Sequence, residues 1–281
     1  MNNSAYMLKR YFLIFIKYLS LIFFALVFIV PILVVVFGAF KTANEFDITS
    51  KISPPKNFLY FENFSTAFIT GGMLKGLINT AIIMIIALIG IVLFGAMVAF
   101  VLHRFVFRGK KFILLLYLAA MLIPMVTTQV TTFKIINSLG LFNTRWSAIV
   151  LYLGADVMSI YIMMQFMDSI SISLDEAAML EGASYFYIFY KLILPLLKPA
   201  IATIIIIKGV GIYNDFYIPY LYMPDQDLQT LSLSLYKFMG PYGGQWNVIC
   251  AGIILIMIPT TMVFLLLQKY IYNGFVAGSV K

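Results

Sequence analysis

The chain has 281 residues, of which 63% are hydrophobic and 11% are charged, and its mean hydropathy is +1.00. A soluble domain carries about a quarter charged residues, so the composition excludes an ordinary soluble protein and indicates a chain that crosses a lipid bilayer. The net charge of +8 does not indicate nucleic-acid binding, because the basic excess lies in short loops between apolar runs, where it sets membrane topology.

Apolar segments of about 20 residues can cross a hydrocarbon core of ~30 Å as helices, and the sequence contains about six of them. Helices are expected because lipid offers no hydrogen-bond partners to open peptide groups. The first run is too long for a signal peptide and has no small-residue cleavage site behind it, so we expect a retained span. The predicted fold class is all-α, with membrane spans near 12–40, 77–102, 112–132, 147–167, 199–218 and 246–268.

The loop at 41–76 follows the first apolar run and contains prolines, glycines and aromatic residues. It is too short to fold as an independent domain. It either caps the outer mouth of the bundle, meets an external partner, or forms an interfacial loop with an aromatic belt. We therefore predict two parts of the chain, 1–76 with the first span and this outer loop, and 77–281 with five further spans.

Basic residues divide the loops into two sets. One set is denser, and its cluster at 104–111 is purely basic, whereas the other set mixes lysines with acidic residues. Cytoplasmic loops carry an excess of lysine and arginine, so we place 104–111 in the cytoplasm, together with both termini.

A polar loop at 169–198 lies between the fourth and fifth apolar runs, on the predicted cytoplasmic side. Ser173 is followed by Glu176 at the S-x-x-E spacing, which predicts that Ser173 caps the start of a short helix. Gly182 is a natural place for this helix to stop. Ala177 and Ala178 have almost no side chain, so the backbone of another protein could approach them closely.

Two charges lie inside the predicted spans, Asp156 in the fourth and Lys208 in the fifth. A charge facing lipid costs ~3 kcal/mol or more, so such residues normally face the helix bundle, a partner or water. Both lie within a few ångströms of the membrane midplane if each residue adds about 1.5 Å of helix. They either line the transport path, pair with each other, or contact a partner chain for structural reasons.

Tyr213, Asn214 and Asp215 lie toward the outer end of the fifth predicted span. Hydroxyls, amides and aromatic faces suit sugars, so these residues are candidates for a substrate path. An aromatic belt at the membrane surface explains the tyrosines of this region equally well. These are Tyr213, Tyr217, Tyr220 and Tyr222. One histidine and one cysteine, without a carboxylate cluster, give a metal site or a catalytic site little support.

The order of residues in the polar loop resembles the EAA motif of ABC importer permeases. The chain departs mildly from the usual family pattern at Glu181, where the family usually has Asp, and at Ser171, where it often has Pro. The matching residues are Glu176, Ala177, Ala178, Gly182, Ala183, Ser184, Ile193, Leu194, Pro195 and Pro199.

Other segments resemble the carbohydrate-uptake members of that family, of which the maltose-type inner membrane subunit is one. Tyr213 stands where this family usually has Trp. Together the matches cover nearly the whole chain after the first span. They lie at 79–80, 104–111, 139–144, 214–219 and in the glycine-rich tail at 274–281.

The resemblance implies the type I ABC importer permease fold and one of two related membrane subunits in a prokaryotic cell membrane. Such a subunit pairs with a second permease, two ATPase subunits and an extracytoplasmic solute-binding protein. The chain has no G-x-x-x-x-G-K-[ST] phosphate loop, so ATP and magnesium are expected on the ATPase and no cofactor is expected here. The residues implied to couple to the ATPase are Glu176, Ala177, Ala178, Glu181, Gly182, Ser184 and Pro195.

Three other classes of protein are alternatives. An ion-coupled secondary transporter would show inverted repeats and broken midplane helices, and no clear internal repeat is visible in the sequence. A membrane enzyme would need clustered acid, base or metal-binding residues, which the isolated Asp156 does not supply. A membrane scaffold without transport activity is the third.

Overall fold

The structure is a computed structural model that describes residues 3–154, 156–240 and 243–279. These residues are mostly helical, with one short antiparallel hairpin, β1 (Met239–Gly240) and β2 (Gly243–Gly244). The prediction of an all-α fold is confirmed. The helices are α1 (Asn3–Ala39), α2 (Ala43–Ile48), α3 (Glu62–Thr70), α4 (Met73–Arg104), α5 (Lys110–Met121), α6 (Met125–Ser138), α7 (Arg145–Leu153), α8 (Val157–Met167), α9 (Ile172–Leu180), α10 (Tyr185–Tyr187), α11 (Leu194–Leu196), α12 (Lys198–Asn214), α13 (Tyr217–Tyr222), α14 (Leu231–Ser234) and α15 (Trp246–Ser279).

Three helical stretches in the described residues are long and apolar enough to cross a membrane alone. They are Arg10–Ala39, Met73–Arg104 and Trp246–Leu265. Three further candidates are pairs of helices joined at a short bend, so the count reaches six if each pair forms one span. Counted in this way, the spans agree in number with the prediction of about six.

The third and fourth predicted spans are bent pairs rather than single helices. The directions of α5 and α6 differ by 103°, and those of α7 and α8 differ by 44°. Pro124 stands at the first break, where its fixed ring and missing N–H disfavour a continuous helix. The fifth predicted span begins after a 70° bend at Leu197 and ends at Asn214 rather than at residue 218.

One compact unit comprises Met1–Gly72 and Leu235–Ile258. Asn63 holds the end of α1 in this unit, because its amide nitrogen donates to the carbonyls of Ala39 and Lys41 at 2.8 and 2.7 Å. In the most apolar stretch of the first span, no residue is buried by other described residues. The small core of this unit is formed by Ala39, Phe46, Cys250 and Ala251.

The other compact unit comprises Met73–Ser234 and Pro259–Lys281. Its central helix is α4, which contacts α7, α8, α12 and α14. Buried residues such as Ile83, Ala87 and Ile91 recur every fourth position along α4 and form one apolar face. A side chain at Gly90 would overlap Leu153, so this glycine permits the close approach of α7. The predicted division of the chain into 1–76 and 77–281 stays a prediction.

Candidate functional site

The polar loop at 169–198 begins with α9, which starts earlier than the sequence indicated. Ser171 is the N-cap, and its Oγ accepts a hydrogen bond from the N–H of Ser173 at 3.3 Å. The predicted cap at Ser173, with Glu176 reaching back to it, is therefore wrong. A serine that lies two residues earlier competes for the same role, and both have the side chain that an N-cap requires.

Gly182 ends α9, as predicted. Its φ is +85°, a left-handed conformation that glycine adopts without steric cost. The N–H of Gly182 donates to the carbonyl of Met179 at 2.9 Å, and the N–H of Ala183 donates to that of Ala178 at 3.0 Å. These two bonds form a Schellman motif, which satisfies the last carbonyls of the helix.

Most residues that the family resemblance singles out in this loop are exposed, and Ala178 is half-buried. Large apolar side chains share the surface, since Leu180 is 90% exposed and Phe186 is 72% exposed. Large exposed apolar side chains rimmed by polar residues are typical of a site that binds another protein. The exposed residues of the predicted set are Glu176, Ala177, Glu181, Gly182, Ser184 and Pro195.

The second half of the loop returns the chain to the membrane-spanning helices. Ser184 caps α10, and its Oγ accepts from the N–H of Tyr187 at 3.3 Å. A π-helical turn over Ile188–Ile193 follows, and Pro195 lies in the short helix after it. The chain then bends by 70° at the buried Leu197. Ser184 and Pro195 therefore shape this return path.

Asp175 attaches the first turn of α9 to the last turn of α4. Arg104 Nε lies 2.8 Å from Asp175 Oδ2, and the side chains of both residues are only 5% exposed. Arg104 Nη2 also donates to the carbonyl of Ile170 at 3.1 Å. One guanidinium group thus holds both the first turn of α9 and the residue before its N-cap.

Further contacts support this attachment. His103 Nε2 lies 2.9 Å from Asp168 Oδ1, just before the polar loop. The ring of Phe105 lies 5.0 Å from that of Tyr185 between centroids, and Phe100 lies 5.4 Å from Phe189. In the sequence, Arg104 stood out only as part of a basic cluster, so its contact with Asp175 was not predicted. A cue was available, because Arg104 continues the long apolar helix whereas the rest of the cluster follows it.

Asp156 and Lys208 form an ion pair. Lys208 Nζ lies 2.5 Å from Asp156 Oδ1, and the two side chains are 29% and 13% exposed respectively. Ser159 Oγ donates to the other carboxylate oxygen. Asp156 lies at the N-cap of α8 rather than within a continuous helix. Among the alternatives left by the sequence, the structure places the two charges against each other.

Asp215 joins several elements through its carboxylate. Oδ2 accepts from the hydroxyl of Tyr152 at 2.8 Å. Oδ1 accepts from the N–H groups of Tyr217 and Ile218 at 2.7 and 3.3 Å, and so caps the first turn of α13. Its own carbonyl accepts from Ser232 Oγ at 2.6 Å. The geometry around Asp215 is that of a structural junction.

Tyr213 and Asn214 lie in different surroundings. Tyr213 is buried and lines a cavity of about 260 Å³ between α4, α12 and α15, whose walls are largely apolar. Such a cavity does not suit a sugar, which needs several polar partners. Asn214 is exposed, and its amide nitrogen donates to the carbonyl of Val210 at 3.0 Å.

The opposite end of α4 carries a second polar network. Asn79 Nδ2 donates to the carbonyls of Asp227 and Gln229, both at 2.9 Å, and Asn79 Oδ1 accepts from Arg145 Nε at 2.9 Å. Thr80 Oγ1 accepts from the backbone of the same segment at 2.9 Å. The pair Asn79-Thr80, singled out by the family resemblance, therefore fixes the segment at 227–231 to the start of α4.

The fold matches that of a solved importer. The chain superimposes with a TM-score of 0.80 on a bacterial ABC transporter involved in the import of the acidic polysaccharide alginate, over 96% of this chain and 98% of that one. The two sequences are 20% identical, so the match shows the fold alone. The predicted type I importer permease fold is confirmed.

Sequence comparison identifies the family. The profile described as "binding-protein-dependent transport system inner membrane component" matches residues 91–275. The chain is 30% identical to the galactooligosaccharides transport system permease protein GanQ of Bacillus subtilis, over 97% of both chains. It is 31% identical to the diacetylchitobiose uptake system permease protein NgcG of Streptomyces coelicolor, over 94% of this chain and 86% of that one.

The chain therefore belongs to the family of binding-protein-dependent transport system inner membrane components. It is a multi-pass transport permease of the ABC importer class and not an enzyme. Membership implies partnership with an ATPase and with a solute-binding protein. The resemblance to carbohydrate-uptake permeases drawn from the sequence is confirmed by these relatives.

Proposed function

We propose that this chain is one of two membrane subunits of an ATP-driven importer of sugars or oligosaccharides, and that the ATPase engages it at α9. In this assembly the chain pairs with a second, related permease, two ATPase subunits and an extracytoplasmic solute-binding protein. ATP and magnesium bind to the ATPase, and this chain holds no cofactor. The exposed, capped helix α9, on a chain of the binding-protein-dependent family, carries the proposal.

The surface of α9 supports ATPase docking. Glu176 and Glu181 are exposed and offer polar contacts, while Ala177 allows close approach of a partner backbone. Leu180 and Phe186 supply apolar area that the described residues leave uncovered. Closure of the ATPase would push this surface and switch the spans between inward and outward access.

The orientation follows from the same contact. Arg104 of the basic cluster touches Asp175 of the polar loop, so the two segments lie on one side of the membrane. A dense basic cluster favours the cytoplasmic side, where ATP is available. Both termini are then cytoplasmic as well.

A carbohydrate substrate is supported by relatives whose names refer to galactooligosaccharides and diacetylchitobiose. Within the predicted path, the exposed Asn214 suits direct contact with sugar hydroxyls. Asp215 and Tyr213 support the helices around it. The pair of Asp156 and Lys208 neutralises two charges inside the membrane beside that path.

The first test is uptake of radiolabelled galactotriose and diacetylchitobiose by cells that express the whole assembly. We expect uptake of at least one sugar, and we expect its loss when the ATPase is left out or made inactive. Uptake that continues without the ATPase would favour an ion-coupled secondary transporter.

The second test replaces Gly182 by leucine. At φ +85° a leucine is strained by roughly 1–2 kcal/mol and shifts the end of α9, so we expect uptake to be lost while the chain stays in the membrane. Gly140→Leu is the matched control, because Gly140 also has a left-handed φ, of +67°, and open space around it. Normal uptake by the Gly182 variant would contradict docking at α9.

A further inference from the structure

We propose that Arg104 is a positioning residue that transmits the force of the ATPase from α9 to α4. This inference rests on the proposed docking of the ATPase at α9. The buried pair of Arg104 and Asp175 makes α9 and α4 move as one body. Without the pair, α9 would still bind the ATPase, but its motion would not be carried directly to α4.

The geometry of the pair favours this role. The two side chains are each 5% exposed and lie 2.8 Å apart, so they form a dry contact between two helices. Arg104 Nε, Arg104 Nη1 and Asp175 Oδ1 make no hydrogen bond among the described residues. The closeness of the two opposite charges therefore compensates their burial. Buried contacts of this kind have one preferred geometry, because any separation leaves an uncompensated charge.

The position of each residue of the pair on its helix fits this role. Asp175 faces the contact, whereas Glu176, the next residue, is exposed on the surface proposed for the ATPase. One short helix therefore presents one side to α4 and another side outward. Arg104 lies in the last turn of α4, where the helix dipole favours a cation.

The helix that receives the force is suited to carry it. α4 has 32 residues and is about 48 Å long at 1.5 Å per residue. It contacts α7, α8, α12 and α14, so a displacement of its end moves the centre of the unit. Its other end holds the segment at 227–231 through Asn79 and Thr80.

The test compares Arg104→Ala with Arg108→Ala in the complete assembly. Arg108 lies in the same basic cluster and is exposed, so its variant removes the same charge without breaking the buried pair. Three quantities are measured: the amount of chain in the membrane, the ATPase that co-purifies with it, and uptake of galactotriose or diacetylchitobiose. A spin label at Ile172, which is exposed at the start of α9 and outside the proposed docking set, reports the mobility of α9.

We expect Arg104→Ala to lower the amount of chain in the membrane, because the carboxylate of Asp175 is then buried without a counter-charge, but to leave the ratio of ATPase to chain at the wild-type value. We also expect it to raise the mobility of α9 and to lower uptake per molecule of chain about tenfold or more, since the broken pair leaves α9 loose. Arg108→Ala should match the wild type. The exchange Arg104→Asp with Asp175→Arg should recover part of the uptake that either single change loses.

Two results would overturn the proposal. One is uptake by Arg104→Ala within about twofold of the wild type, against the tenfold loss expected from a broken buried pair. The other is a loss of uptake that only follows a loss of chain from the membrane, which would make Arg104 a folding residue. A wild-type assembly that transports sugar but holds no ATPase would instead overturn the proposed function.

Discussion

The two ends of α4 are held by contacts of the same chemical kind in opposite surroundings. At one end Arg104 and Asp175 form an ion pair whose side chains are each 5% exposed. At the other end Lys75 Nζ lies 2.5 Å from Asp227 Oδ1, with side chains 54% and 78% exposed. The distances are similar, so the difference between the two ends lies in burial.

Burial decides how much each pair can hold. An exposed pair is screened by water and salt, and contributes about 0–1 kcal/mol. A buried pair gains little over an apolar contact when intact, but it costs several kcal/mol when one partner is lost. At the end with the exposed pair, hydrogen bonds from the buried Asn79 attach the segment at 227–229 to α4 instead. Three substitutions test this contrast between the buried and the exposed end of α4.

The largest effect is expected for Asp175→Ala. This change leaves the guanidinium of Arg104 buried without its counter-charge, so we expect the free energy of unfolding to fall by about 3–5 kcal/mol. Thermal unfolding of the detergent-solubilised chain, followed by the loss of helical circular dichroism, measures it. Glu176→Ala is the matched control on the exposed side of α9 and should unfold as the wild type does. Equal melting of the two variants would remove the basis of the contrast.

A smaller effect is expected for Asn79→Ala. The change leaves the carbonyls of Asp227 and Gln229 and the guanidinium of Arg145 without this partner. Unsatisfied polar groups cost about 1–3 kcal/mol, so we expect a loss of that size in the same melting experiment. A loss as large as that of Asp175→Ala would show that neutral hydrogen bonds can match a buried ion pair here.

The smallest effect is expected for Lys75→Ala. The pair with Asp227 is exposed, so its removal should change the free energy of unfolding by less than about 1 kcal/mol. The small change should shrink further in 0.5 M salt, because the Debye length falls to a few ångströms as salt approaches 1 M. The melting temperature measured at low and high salt checks both points. A loss of several kcal/mol that ignores salt would contradict the assignment.

Much of the fold could be predicted from hydropathy, because a membrane chain must satisfy its backbone within helices. The bends could not be placed in the same way. Pro124 was visible in the sequence, whereas the 44° bend lies between α7 and α8, which both pack against α4. In the polar loop, the stop at Gly182 was predicted correctly, since a left-handed residue after a helix favours glycine. The start was not, because Ser171 and Ser173 have equal capping chemistry.

The sequence by itself determined that the chain crosses the membrane several times and has a polar loop between the fourth and fifth apolar runs. Composition, run length and local order carry this information, and none of them depends on contacts between distant residues. Only the tertiary structure decided what the charges do. It paired Arg104 with Asp175 and Asp156 with Lys208. It also made Asp215 a junction between helices. These partners lie far apart along the chain, and the packing of helices around α4 brings them together.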